Sequence, residues 1–169
     1  MKKAIVLLVI VCCSYGLSAQ STLTKKETKF IKHVAEISLL EIKIGELAAT
    51  NASSQAVKST ALVLVSDYKK TEEDIKALAA KKSIILPTEL CPKKQKFYTY
   101  FTGKKGNDFD KAYTKCTAKA NKKGLCKVKK MNKRTDDAEL KAWSSEMLVT
   151  LEKHKVLLKE TCDNLKNKK

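Results

Sequence analysis

The chain has 169 residues, 35 of them Lys or Arg against 18 Asp or Glu, a formal net charge of +17. Only 5 Gly and 2 Pro punctuate it, while Ala, Leu, Lys and Glu dominate, which favours helix and leaves no stretch with the alternation of a strand. The length suffices for one domain with a real core, and no glycine loop for phosphate or nucleophile elbow is present.

The N-terminus carries the marks of a cleavable signal peptide over residues 1–19. Lys2 and Lys3 form a positive region, and Ala4 to Cys13 an apolar run too short to span a bilayer. Ser14 to Ala19 form a cleavage region, with the cut expected after Ala19 or, since Leu17 stands at −3, after Ser18. Acylation at Cys12 or Cys13 is the weaker alternative, because Val11 stands where a small residue is expected. No later apolar run is long enough to span a membrane. The expectation is an exported, periplasmic or secreted chain with one domain over 20–169.

Helix 1 is predicted over 22–51, with an apolar stripe Phe30, Val34, Ile37, Glu41, Ile44, Ala48. Asn51 to Ser54 form a turn, with Ser53 or Ser54 as N-cap of helix 2 over 54–83. Its stripe reads Val57, Ala61, Leu64, Tyr68, Ile75, Leu78. A long connection follows from Ser83 to Asn107, with Pro87, Pro92, Gly103 and Gly106 and a short helix over 92–102. Helix 3 is predicted over 108–134, with Phe109, Tyr113, Cys116 and Ala120 inward, Asn121 beside them, and Gly124 able to distort it. Thr135 or Asp136 caps helix 4, which runs to 164 with Leu140, Trp143, Met147, Leu151, His154 and Leu158 inward.

Each stripe thus holds one polar residue: Glu41, Tyr68, Asn121 and His154. All four fall within about one turn of their helix midpoints. Two hairpins joined by a long connection match the ferritin-like four-helix bundle, whereas a simple up-down bundle needs only a short link. Packing then brings the four to one level, as a buried hydrogen-bonded layer that fixes register or as a small-ligand pocket.

The order and spacing of several segments add a resemblance. Phe30-Ile31-Lys32, Glu41-Ile42-Lys43-Ile44-Gly45-Glu46-Leu47-Ala48 and Ala56-Val57-Lys58 begin it. Leu78-Ala79-Ala80-Lys81-Lys82, Leu86-Pro87, Asp108-Phe109-Asp110-Lys111-Ala112-Tyr113 and Glu139-Leu140-Lys141-Ala142-Trp143 continue it. Over about residues 27–160 the chain resembles the ferritin-like domain-of-unknown-function 4142 family of exported bacterial proteins. The Ser-Ala-Gln signal ending looks like those of the Bacteroidetes. The resemblance implies a helical bundle and an exported location, and no activity. Family members tend to carry Asp-His in helices 2 and 3 and a His in helix 4. Here the positions read Asp67-Tyr68, Ala120-Asn121 and His154, so two of the three histidines are missing.

A di-iron site needs about four carboxylates and two histidines, and a lone zinc three or four ligands. Glu41, Asp67 and His154 are the only metal-ligand candidates, and no cofactor is expected. No nucleophile is placed by motif near His33 or His154, so no enzyme is expected, and His33 reads as a surface residue. Cys91, Cys116, Cys126 and Cys162 survive signal removal, and an even number in an exported chain favours bridges. Cys116 and Cys126 lie roughly 15 Å apart on one helix, beyond bridging distance. A ferritin-like crossover favours Cys91–Cys126 and Cys116–Cys162, whereas a short-link bundle brings Cys91 towards Cys116 or Cys162.

Residues 91–134 carry 15 basic and 2 acidic side chains, nearly all of the net charge. Such a field attracts anions or simply forms a solvated face. Lys111, Lys115, Lys119, Lys122, Lys123, Lys127, Lys130 and Arg134 are the candidates for contact with anionic envelope polysaccharide or lipid headgroups. Nucleic acid ranks behind these, because Tyr98, Tyr100 and Phe101 fit an amphipathic helix better than a stacking platform. The leading expectation is a non-catalytic binding or structural protein of the cell envelope. The rival is a degenerate metal-binding or oxidative-stress protein.

Overall fold

The computed structural model describes residues 23–167, which are all helix, turn and loop, with no strand among them. The signal peptide and its cleavage site lie outside the described residues. Five helices follow in order: α1 (Lys25–Asn51), α2 (Gln55–Lys81), α3 (Pro92–Thr102), α4 (Gly106–Arg134) and α5 (Ala138–Asn167). Among the described residues no helix is long and apolar enough to cross a membrane.

The inward stripes set the packing. Of the expected stripe residues only Ile37, Cys116, Ala120 and Trp143 keep partial exposure. Cross-helix contacts fix the directions. The turn at residues 52–54 reverses α1 into α2, His33 meets Lys127 while a Cβ on Gly45 would meet Tyr113, Asn121 meets Leu151 while Asn132 meets Ser144, and Thr60 meets Thr161 while Asp67 meets His154. In every one of these pairings higher numbers on one helix meet lower numbers on the other. Hence α1–α2, α1–α4, α4–α5 and α2–α5 are all antiparallel neighbours. The connection through α3 carries the chain from the end of α2 back to the start of α4, so those two helices run the same way.

Gly45 permits the closest approach. A Cβ built there would stand 2.5 Å from the Val65 Cγ2 methyl, far inside van der Waals contact. Two apolar clusters fill the interior. One joins Phe30, Val34, Tyr68, Ile75, Met147 and Leu151 and the other Ile44, Ala48, Val57, Phe101, Phe109 and Tyr113. Leu40 belongs to the second and Ile42 to the first, so Glu41 falls at their junction.

The helix ends depart from the expected caps. Thr24 caps α1 through a reciprocal box with Glu27. Ser54, one of the two expected residues, is the N-cap of α2, but its side chain makes no capping hydrogen bond. Instead Asp110 of α4 accepts from the backbone N–H of Ser53 at 3.2 Å and of Ser54 at 2.9 Å, and from the Ser53 hydroxyl. This carboxylate is 1% exposed and lies where the α2 dipole is positive. Asp137, one residue beyond the expected cap, accepts from Leu140 N at 2.8 Å at the start of α5. Asp137 also pairs with Lys82, and Thr135 donates to Glu27 at 2.5 Å. These contacts tie three chain segments at one end of the fold. Gly124 sits within an unbroken α4.

The expected disulfides are not formed. Cys91, Cys116, Cys126 and Cys162 are all free, and no two lie at disulfide distance. Asn121 faces Leu151, so Cys116 comes level with residue 156, about 9 Å along the axis from Cys162. That offset exceeds the reach of a bridge. Cys91 is held to Glu36, which stands near the height of Cys126, but both thiols are exposed.

Candidate functional site

The four polar stripe residues are all buried, with exposures of 6% for Glu41, 4% for Tyr68, 3% for Asn121 and 1% for His154. No hydrogen bond joins any one of them to another. His154 Nε2 lies 2.9 Å from Asp67 Oδ2. A carboxylate can only accept, so Nε2 carries the proton and donates, leaving Nδ1 as an acceptor. That Nδ1 is buried and without a partner. Burial holds the imidazole below its ordinary pKa, against the pull of Asp67. The Tyr68 ring packs 5.5 Å from the His154 ring. Asn121 Nδ2 donates to the Leu151 carbonyl at 2.9 Å, while its Oδ1 has no partner.

Glu41 is the most perturbed carboxyl group of the interior. Desolvation alone raises its pKa to about 7. Burial raises Tyr68 and Tyr113 far above the ordinary tyrosine value, and a charge on Glu41 would push both further. Burial thus favours the uncharged form of each of these three side chains. For the metal candidates, Asp67 and His154 meet and Glu41 does not join them. Among the described residues no group of three or more His, Cys, Asp or Glu side chains is placed to hold a metal ion.

The second candidate site is the basic face. Lys111, Lys115, Lys119, Lys122, Lys123, Lys127, Lys130 and Arg134 are all exposed on α4. None of them forms an ion pair among the described residues, although nine contacts between lysines and carboxylates are made elsewhere in the fold. The buried faces between them are kept by Tyr113, Thr117, Asn121 and Val128, so the helix is sharply two-sided.

His33 is not the free surface residue that its charged neighbours suggested. It is half-buried, with Nε2 2.8 Å from Lys127 Nζ. An ammonium group can only donate, so Nε2 accepts and the ring is neutral. Desolvation, then the charges of Lys127 and Lys94, hold its pKa below the ordinary value. This contact spans 94 residues of sequence, and helical periodicity carries no signal for it.

Sequence reasoning also missed Glu36. It accepts from Cys91 N at 2.8 Å and pairs with Lys94, pinning the start of α3 to α1. Burial opposes its ionisation, but the hydrogen bonds from Cys91 and Lys94 and the Lys94 charge bring its pKa down to about 2.

No curated protein and no solved structure is similar enough to match the chain. A family model does match it over residues 14–160, a span that contains α1 to α4 and most of α5. The all-helical structure, the stripes and this match together place the chain in the family described as Domain of unknown function (DUF4142).

Proposed function

We propose that the chain is a non-catalytic, ferritin-like binding protein of the cell envelope, exported as a periplasmic or secreted protein, whose α4 face docks on an anionic partner. Anionic polysaccharide or lipid headgroups supply that partner's chemistry. The observation that carries the reading is the row of eight exposed cations on α4 without a single intramolecular ion pair among the described residues. A row of like charges on one helix repels itself by a few tenths of a kcal/mol per neighbouring pair. An anionic surface removes that repulsion.

The ferritin-like assignment is supported by the two antiparallel hairpins and the crossover through α3. Glu41, whose pKa desolvation raises to about 7, does not join the Asp67–His154 pair, and no catalytic step is proposed.

The test is binding of the purified protein to vesicles containing phosphatidylglycerol, and separately to heparin as a polyanion, over a range of salt concentrations. Binding should weaken steeply as the Debye length shrinks below about 8 Å. Replacing Lys115, Lys119 and Lys122 with Ser should weaken it by tenfold or more. Binding to neither surface, or binding indifferent to salt, refutes the proposal.

A further inference from the structure

Two cavities meet at His33 and Lys127. One is an open groove of about 930 Å³ between the start of α1 and the end of α4, with Lys25, Lys29, Lys130 and Arg134 on its walls and Phe30 and Met131 on its floor. The other is a recess of about 170 Å³ reaching inward to Ser38, Tyr68, Met147 and Leu151. Phe30, His33 and Lys127 line both, so the groove and the recess adjoin at these three side chains.

The two spaces differ in chemistry. The groove presents a cluster of cations, and its carboxylates are largely engaged: Glu27 holds Thr24 and Thr135, and Asp137 holds Lys82. The recess is walled mainly by apolar side chains and backbone-like small residues, Ala120 and Gly124 among them. At its inner wall stands Ser38, 0% exposed, with a hydroxyl oxygen that has no hydrogen-bond partner. A buried hydroxyl without a partner costs about 1–3 kcal/mol; at 0% exposure it lies behind the recess surface, so a guest meets it only when the wall gives way. A cavity of about 150 Å³ holds a guest the size of benzene, so the recess suits one aromatic ring or a short alkyl chain.

We infer that this pair of cavities is a binding site for a small amphiphilic anion, a carboxylate or phosphate carrying one apolar group, with the anion at Lys127 and Lys130 and the apolar group in the recess. His33 is the hinge of the site. Its neutral Nε2 accepts from Lys127, which orients the ammonium group at the boundary between the two spaces. The inference goes beyond the proposed docking on an anionic surface; the two share Lys123, Lys127, Lys130 and Arg134, whereas Lys115, Lys119 and Lys122 line neither cavity and so separate them.

The experiment is an NMR titration of the purified protein with butyrate, hexanoate and octanoate, with inorganic phosphate, phenyl phosphate and hexanol as comparison probes. Hexanoate and phenyl phosphate should bind and shift the amides of Phe30, Ser38 and Lys127. Inorganic phosphate, lacking an apolar group, and hexanol, lacking charge, should each bind at least tenfold more weakly. Ala120→Phe fills the recess and should abolish hexanoate binding. Gly124→Leu does so from the next turn and serves if the first variant fails to fold. Lys127→Met should weaken hexanoate tenfold and leave hexanol unchanged. Equal affinity for phosphate and hexanoate, or hexanoate binding that survives both recess-filling variants, overturns the inference. Vesicle binding measured on the same variants separates the two proposals: Ala120→Phe should keep it, and the Lys115/Lys119/Lys122 variant should lose it while still binding hexanoate.

Discussion

Replacing Glu41 with glutamine keeps the side-chain shape and removes the ability to ionise. In the folded protein desolvation raises the Glu41 pKa from 4.5 to about 7. At about 1.4 kcal/mol per pH unit, that rise separates the neutral and charged forms by about 3 kcal/mol. Since the folded value lies above the unfolded one, the native state binds the proton more tightly. The stability this contributes is fully present below pH 4.5 and is lost as pH climbs through about 7. The glutamine variant has no such loss. Urea unfolding of both proteins between pH 4.5 and 8.5 should therefore give a stability difference that grows with pH, by about 3 kcal/mol in favour of Glu41→Gln. That is a large share of the roughly 5–15 kcal/mol that holds an ordinary domain folded. Any constant offset from altered packing cancels in the pH dependence. A difference that stays flat across this range, or that runs the other way, refutes the account of Glu41 as an unpaired buried carboxyl.

Asp110→Asn removes the charge that holds the start of α2 and should cost about 2 kcal/mol in urea unfolding, with Asp110→Ala costing more. Gly45→Ala should destabilise by about 1–3 kcal/mol despite its better helix propensity, since its Cβ meets Val65 at 2.5 Å. Gly124→Ala, whose Cβ meets Leu151 at an ordinary 3.6 Å, should instead stabilise by up to about 1 kcal/mol; the same sign for both thermal shifts would refute the packing argument. Glu36 contributes stability above its unfolded pKa of 4.5 that disappears as pH falls towards about 2. The protection of the α3 amides, taken relative to the intrinsic exchange rate at each pH, should fall over that window, and in Glu36→Gln it should be low already at neutral pH.

Much of the fold was legible because helix faces repeat locally. The stripe through Phe30, Val34 and Ile44 gives α1 within three residues at its start, and Pro92 and Gly103 bracket α3 as expected. The burial of Glu41, Tyr68, Asn121 and His154 follows from the same periodicity. Their hydrogen bonds do not, because a stripe fixes which way a residue faces and not which atom it meets. Thus His154 finds Asp67, one position off the stripe, and Asn121 finds a backbone carbonyl. The N-cap of α2 falls on Ser54 as the sequence places it, but the acceptor for its N–H is Asp110, 56 residues further on. The cysteine pairing rested on parity and topology, and the bond depends on axial height to within a few Å. His33 looked like a surface residue because its sequence neighbours are charged, yet its surroundings are set by Lys127 on another helix.

The Asp110 cap makes the two helical hairpins mutually dependent. The amides of Ser53 and Ser54 belong to the turn of the first hairpin, but their acceptor belongs to the second. When the second hairpin lifts away, these two amides lose their partner and open to solvent together. Their exchange with deuterium thus reports docking of the hairpins rather than fraying of α2, and it separates partial opening from global unfolding. A first hairpin alone would start α2 with its leading N–H groups bare and its dipole unanswered, so the domain is built to fold as one unit and not as two halves that later meet.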